Sequence, residues 1–483
     1  MPAITFDRFD GGMDRRKAQN VSDANRLWDA KNVYITDGWK IAKRPGLKFI
    51  WAFGGTQGDV KGLFNYNGKL NTVSEKAITH PGSNPSAVNW QLTPPAGEVS
   101  VSRLEHVEIF NGYPYVSVTW SPGLTTRHYY LNGSPPHAAV ADVNCPHHKS
   151  FVKAASKIFS PGTETVPYSK TNDPTDWTTA GDAGFLPTGI QASGDATPVA
   201  VARYNDQVAV LHSDATQLWN VDPDPTLMAL DQVLDVGTDK YRGFGNIGGD
   251  LIILTGFGFR SISLQQQTLT NEDVDIGSPI DALVRADLAA GDIPAYAYST
   301  IYRRGGQFMI LADSTSNPGF TRAYVLSLSR IAKLTAWTYY DFGLNQTGGL
   351  DLLDAVELDG VLYFNRGNAD VYALDDTVSA DNGIAFQHLA LMPYLSFKKP
   401  GQRKRVLGLD VAMQGRSNVS VLYDANDTSR VAALGELSGD SRPGGVIPVE
   451  VAGSELALQF DGTHTEAWQH DLATVYYDLE GVT

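Results

Sequence analysis

Cys145, His147 and His148, with His137 nearby, are the residues whose types and crowding suit soft-metal ligation, since thiolate and imidazole are donors that zinc takes. Their spacing is wrong for a structural site. Such sites use four ligands in paired spacings, whereas here Pro146 interrupts one crowded patch, which reads as solvated loop residues with no metal bound. A second chemistry would be general acid and base work by paired carboxylates. The pairs Asp222 with Asp224 and Asp375 with Asp376 stand in turn sequences, where Asp serves the backbone by hydrogen bonding. The glycine-rich GFGNIGG (243–249) has no Lys-Ser/Thr after it and no helix to offer its N-terminus, so it reads as a hairpin turn and not a phosphate cradle. No GxSxG elbow or HExxH helix occurs. The expectation is a protein that is not an enzyme, with no catalytic residues and no cofactor.

Charge offers one further candidate site. Lys398, Lys399, Arg403, Lys404 and Arg405 form the densest basic run, KKPGQRKR, suited to DNA phosphates or to the acidic surface of a neighbouring subunit, with a solvated loop as the plain alternative. Arg15, Arg16, Lys17, Lys43 and Arg44 raise the same question near the start of the chain. Overall, 38 Lys and Arg stand against 53 Asp and Glu, a net charge of −15, so the chain has no general positive field to hold nucleic acid.

The elements that must position these residues recur at nearly even spacing. Seven units, each an apolar run turning into a second apolar run, centre on Asn67, Asn111, Ser156, Asn205, Gly248, Gly305 and Asp359, at intervals of 43 to 57 residues. A second alternating stretch follows in most periods, for example TTRHYYLNG and FRSISLQQQ, giving about four strands per repeat. One hairpin per period of this length predicts an all-β chain with a β-propeller of six to eight blades, seven favoured, over residues 61–382. Residues 1–60 form an N-terminal arm, able to donate a strand to the last blade or to pack with the C-terminal region. Residues 383–483 read as a β-rich platform, a sheet or sandwich, with strand-like runs at 406–413, 418–424, 445–451, 455–460 and 473–479. The one helical signal is DALVRADLAA (281–290).

The 483-residue chain has 47 Gly and 25 Pro, which suits short strands and tight turns. Its one cysteine excludes an internal disulfide and fits folding in a reducing cytoplasm. MPAITFDRFD lacks a basic region followed by an apolar stretch, so neither a signal peptide nor stable membrane insertion is expected.

TNDPTDW (171–177) resembles the Asp-box turn of sialidase-type propellers, but Pro174 follows the Asp and there is a single copy, so an Asx turn closed by Trp177 is the reading. A broader resemblance runs through the chain. The segment Phe9 to Arg15 with its Gly-Gly and Asp-Arg, the A-x-N-V segment Ala30 to Val33, and the Lys-Arg-Pro-Gly turn Lys43 to Gly46 are similar to the opening of tail-nozzle, tail-hub or packaged-DNA stabilisation proteins of short-tailed bacteriophages. YSKTNDPTDW (168–177), LIILTGFGFRSISL (251–264) and MPYLSFKKPGQRKRVLGLDVAMQG (392–415) are similar to later stretches of that family, although Met392 stands where Thr is commoner. The resemblance implies a virion structural protein, assembled in the host cytoplasm as a homohexameric ring around the channel for double-stranded DNA ejection. Its implied partners are further copies of itself, head-to-tail adaptor proteins, and tail fibre, spike or plug proteins. An acidic wall suits a conduit that must not hold its cargo. The alternative is a glycan-binding or glycan-hydrolysing propeller, which requires a convergent Arg and carboxylate cluster on one face. A scaffold of the WD-repeat type lacks its recurring Trp-Asp and Gly-His signatures here.

Overall fold

The computed structural model describes residues 2–20, 22–52, 58–75, 77–79, 88–192, 194–267, 275–313, 321–343, 352, 354–366, 370–439 and 446–480. The chain is all-β, built from many small antiparallel sheets in a propeller-like arrangement. Each of the seven hairpin units becomes the first two strands of a sheet. The turns work because their central residues adopt positive φ, the backbone twist that a two-residue hairpin needs and that Asn, Asp and Gly tolerate. Asn67, Asn111, Ser156, Asn205, Gly248 and Asp359 all have φ between 46° and 59°. In the sixth unit the positive angle falls on Gly306, one residue past the expected centre, because Tyr302 pairs with Gln307 across a longer loop.

The first strands of the seven sheets are Val60–Tyr66, Ser100–Phe110, Val152–Ala154, Ala200–Tyr204, Phe244–Ile247, Tyr298–Tyr302 and Asp354–Leu358. They touch in that order, and the last touches the first. Apolar side chains fill the spaces between sheets. Phe64, Val116 and Trp120 join the first and second, while Val60, Leu63, Leu70 and Val371 close the circuit between first and seventh. Burial of such side chains, about 1.5–3 kcal/mol each, is what makes one small sheet depend on its neighbours.

Two features differ from the sequence reading, and a third is the strand donation that it allowed for the arm. The second and fifth sheets carry three strands among the described residues, not four. In the fifth, FRSISLQQQ is a strand only to Ser261. It continues as the helix Ile262–Gln267 because Asp250 accepts from the Ser263 amide (3.0 Å) and the Ser261 hydroxyl from the Leu264 amide (3.0 Å), capping its first turn. The seventh sheet takes its fourth strand from the arm: Gly46–Ala52 lies antiparallel to Asp370–Asp375. The helix Asp281–Ala290 forms where its sequence suggested and ends on Gly291 at φ 77°.

Both ends of the chain meet outside this circuit. Ala3–Phe6, Val33–Ile35 and Ile41–Lys43 join Lys404–Gln414, Ile447–Gly453 and Gln469–Leu479 in one sheet. A second layer, Phe386–Leu391, Arg416–Leu422, Val431–Ser438 and Ala457–His464, continues the sixth sheet through the bridging strand Asp29–Lys31. Val411, Val475, Val421 and Phe460 fill the space between the layers and belong to the same core as Phe308 and Trp337 of the sixth sheet. No described helix is long and apolar enough to cross a membrane.

Candidate functional site

The basic run divides once folded. Lys398, Lys399, Arg403 and Arg405 are exposed, with Arg403 paired to Glu480 at 3.2 Å. Lys404 is fully buried, donating from Nζ to the carbonyls of Lys399 (2.6 Å) and Ser454 (2.5 Å). The expectation that Lys404 is an interface cation is therefore corrected. It begins the strand Lys404–Gln414 and shares the inward parity of Val406, so its ammonium ties two loops together. Of the arm cations, Lys43 and Arg44 are buried, Arg15 is half-buried, and Arg16 and Lys17 are exposed, Lys17 lying 3.5 Å from Asp23. Arg15 meets Asp29 (3.2 Å) and the Trp28 carbonyl (3.0 Å), and Arg16 meets Asp14 (2.7 Å). Burial pulls the Lys43 ammonium down to about 8, against the nearby Asp381 and Glu466 charges, and its Nζ donates to the Ser379, His464 and Glu466 carbonyls.

Arg44 is the deepest of these. Its guanidinium has no exposed surface and grips Asp381 with two hydrogen bonds (2.8 and 2.6 Å), while Nε donates to Asn32 Oδ1 (3.0 Å) and the group lies over Phe386 (3.7 Å) and Phe342 (4.5 Å). Asn32, at φ 53°, also accepts from the Asp341 amide (2.8 Å) and donates to the Gln387 carbonyl (2.7 Å). Glycines allow the chain to approach this closely. A Cβ at Gly46 would lie 2.2 Å from the Ala380 oxygen, and one at Gly12, at φ 56°, 2.8 Å from Ala336 Cβ and the Trp337 nitrogen. The arm segments around Gly12, Asn32 and Lys43 to Gly46 thus fold as joints between the circuit of sheets and the terminal layers.

A cavity of about 400 Å³ lies among the first strands of the sheets, lined in part by Leu63, Glu105, Tyr241, Arg242, Tyr298 and Asp354. It brings together the Arg and carboxylates that glycan chemistry would need; both carboxylates are held by neighbouring donors, while Arg242 Nη1 is buried without a hydrogen-bond partner. Glu105 accepts from Thr119 (2.6 Å) and Tyr241 (2.9 Å); Asp354 accepts from Arg242 (2.8 Å) and from the amides of Leu63 and Ala355 (both 3.1 Å). Burial raises Asp354 against the pull of Arg242, and burial with Glu105 beside it pushes the Tyr241 phenol up. These bonds link the first, second, fifth and seventh sheets. The arrangement braces the hub electrostatically.

The turn carboxylates do what turns require. Asp173 accepts from the Thr175 amide (3.0 Å), Asp224 from the Thr226 amide (2.9 Å) and Asp375 from the Thr377 amide (2.8 Å), while buried Trp177 donates to the Pro174 carbonyl (3.0 Å).

The cysteine and histidines are not a solvated loop, which corrects that reading. Cys145 is 5% exposed, and the loop folds onto the second sheet so that His128, from the strand Thr126–Tyr130, joins Cys145 and His147. One donor atom from each of the three lies within 4.8 Å of the others. Burial raises the thiol to about 12 and lowers His128 to about 3 and His147 to about 4. His148 stands outside this set: its carbonyl accepts from His128 Nε2 (2.6 Å) and its Nδ1 from the Ser150 amide (3.1 Å). His137 is tied elsewhere, its backbone bonded to Gln91 and Thr93. His128 lies 17 residues before Cys145, outside any local ligand spacing, and its sign in the sequence is a histidine inside an alternating aromatic strand.

With the fold and these clusters in place, comparison with known proteins adds little. No protein-family model matches the chain, and no curated protein matches it. Among solved structures it is similar to the computationally designed Ika8 protein (8% identity, 68% of this chain and 99% of that one, TM-score 0.35). It is similar also to BamB from Moraxella catarrhalis (10%, 68% and 97%, 0.37) and to an exo-beta-1,3-galactanase from Phanerochaete chrysosporium (10%, 68% and 95%, 0.26).

Proposed function

We propose that this chain is a structural subunit of a short bacteriophage tail, forming a homohexameric nozzle or hub ring around the DNA-ejection channel and docking adaptor, fibre, spike or plug proteins. In this reading the seven sheets are seven propeller blades, the last closed by Gly46–Ala52 from the arm. The platform that makes ring contacts is the pair of terminal layers. The observation that carries the reading is that two of the stretches resembling the tail family, from Phe9 to Gly46 and from Met392 to Gly415, share one apolar core, in which Phe9, Met13 and Val33 belong with Met392, Val406 and Val411. Two further features support it: the net charge of −15, which suits a DNA conduit, and the mutual engagement of the buried hub carboxylates. The exposed Lys398, Lys399 and Arg405 then face a neighbouring subunit or passing DNA. Quantitative mass spectrometry of purified virions tests the assignment. Six copies of this chain per particle are expected, and particles that infect without it overturn the reading. The glycan alternative is revived if the purified chain releases reducing sugar from a host-surface polysaccharide.

A further inference from the structure

We infer that His128, Cys145 and His147 form a binding site for one zinc-class divalent cation, pinning the 131–151 connection against the second sheet. The geometry carries this. Cys145 Sγ lies 3.6 Å from His128 Nδ1 and 3.5 Å from His147 Nδ1. In tetrahedral zinc coordination, with Zn–S of about 2.3 Å and Zn–N of about 2.0–2.1 Å, each S···N edge is about 3.5–3.6 Å. The two S···N edges already have the length that a shared metal requires, and the Nδ1···Nδ1 edge, within 4.8 Å, closes to about 3.3–3.4 Å as the metal enters.

The surroundings are those of ligand positioning. His128 is fully buried, and its Nε2–H donates to the His148 carbonyl at 2.6 Å, which fixes the tautomer and leaves the Nδ1 lone pair facing the sulfur. His147 is held at φ 49°, a left-handed conformation that is uncommon for a residue other than glycine and that turns its imidazole back over Cys145. Three protein ligands leave a fourth position for water, and half-buried His147 gives the route from solvent.

Binding is balanced without any co-reactant. The thiol gives its proton to solvent, the sulfur and the two Nδ1 lone pairs go to the metal, and the Tyr115 hydroxyl, now 3.0 Å from His128 Nδ1, turns fully to the sulfur. The 3.2 Å bond from the His128 amide to His147 Nδ1 is given up.

The test uses the full chain, stripped by chelator and titrated with cobalt(II). One equivalent is expected to bring up a near-ultraviolet thiolate-to-cobalt band with intense tetrahedral visible bands, to release about one proton per metal, and to be displaced by zinc. Cys145→Ser should abolish the band, His128→Gln should weaken binding at least tenfold, and His137→Gln, outside the set, should leave it unchanged. Because Cys145→Ser disturbs a buried position, the wild-type chain provides an independent measurement: its melting temperature rises with zinc and not with magnesium. Absence of the band at equimolar cobalt in the wild-type chain overturns the proposal. So does a band that survives Cys145→Ser or is lost equally in His137→Gln, and the cluster is then a hydrogen-bonded one only.

Discussion

The circuit of sheets and the terminal layers are stabilised by the same kinds of contact at very different sequence separations. In the circuit the basic unit is a hairpin whose innermost partners are separated by two turn residues, as in Phe110 with Tyr113 or Leu358 with Val361. In the terminal layers Arg44 meets Asp381 and Ala3 meets Tyr476, so the two ends of the chain must find each other. Local pairings cost little loop-closure entropy, and each sheet needs only its neighbours; the junction forms only when the chain is nearly complete. A change in a turn should therefore stay local, whereas a change at the junction should loosen the arm, the platform and the last sheet together.

The largest expected effect is at Arg44. Arg44→Ala leaves Asp381 buried and uncompensated and should cost about 4 kcal/mol in denaturant unfolding. It should also expose the backbone amides of Gly46–Ala52 to hydrogen exchange together with those of Gln469–Leu479. If only one of the two stretches gains exchange, the junction does not couple the regions.

Arg242→Ala at the hub tests the other side of the comparison. Asp354 loses its cation, but the cavity lets water reach it, so about 3 kcal/mol is expected, with exchange rising in the first strands of the sheets and not in the terminal layers.

Acid should weaken the junction through His470, which is fully buried against Phe9 and Phe460 and is held by burial, with Lys40 nearby, at about 3. Unfolded, it titrates near 6.5. Between these values only the unfolded chain takes up the proton, so the histidine's contribution is complete above about pH 6.5 and declines as pH falls, by about 2 kcal/mol at pH 5. His388 and His128, also held at about 3, add to the acid sensitivity of the chain. His470→Phe should flatten the pH dependence by one histidine's share; an unchanged slope would show that His470 is already protonated or exposed in the folded chain.

The smallest effect belongs to a turn. Asn67→Ala places alanine at φ 52° and should cost about 1 kcal/mol, confined to the first sheet.

The hairpins were legible because turn residues and period-two alternation are local signals, and the helix Asp281–Ala290 was legible for the same reason. Strand Val431–Ser438 went unread because VAALGELS alternates without β-branched or aromatic weight. The arm's pairing with the platform is a matter of partner choice, which no local pattern encodes. Lys404 was misread by its neighbours' charge even though its parity with Val406 marked it as inward-facing, and His128 was missed because a site assembled from a strand and a later loop is not close in sequence.

Whether this chain is a ring-forming tail subunit is tested most directly by a reconstruction of the assembled tail. Six copies, with a combined mass about six times 52.3 kDa, should surround an open channel, each with its terminal layers in contact with a neighbour and its circuit of sheets set outward as a rigid docking body. A tail whose channel density is filled by other proteins, with this chain absent or present as isolated monomers, would contradict it.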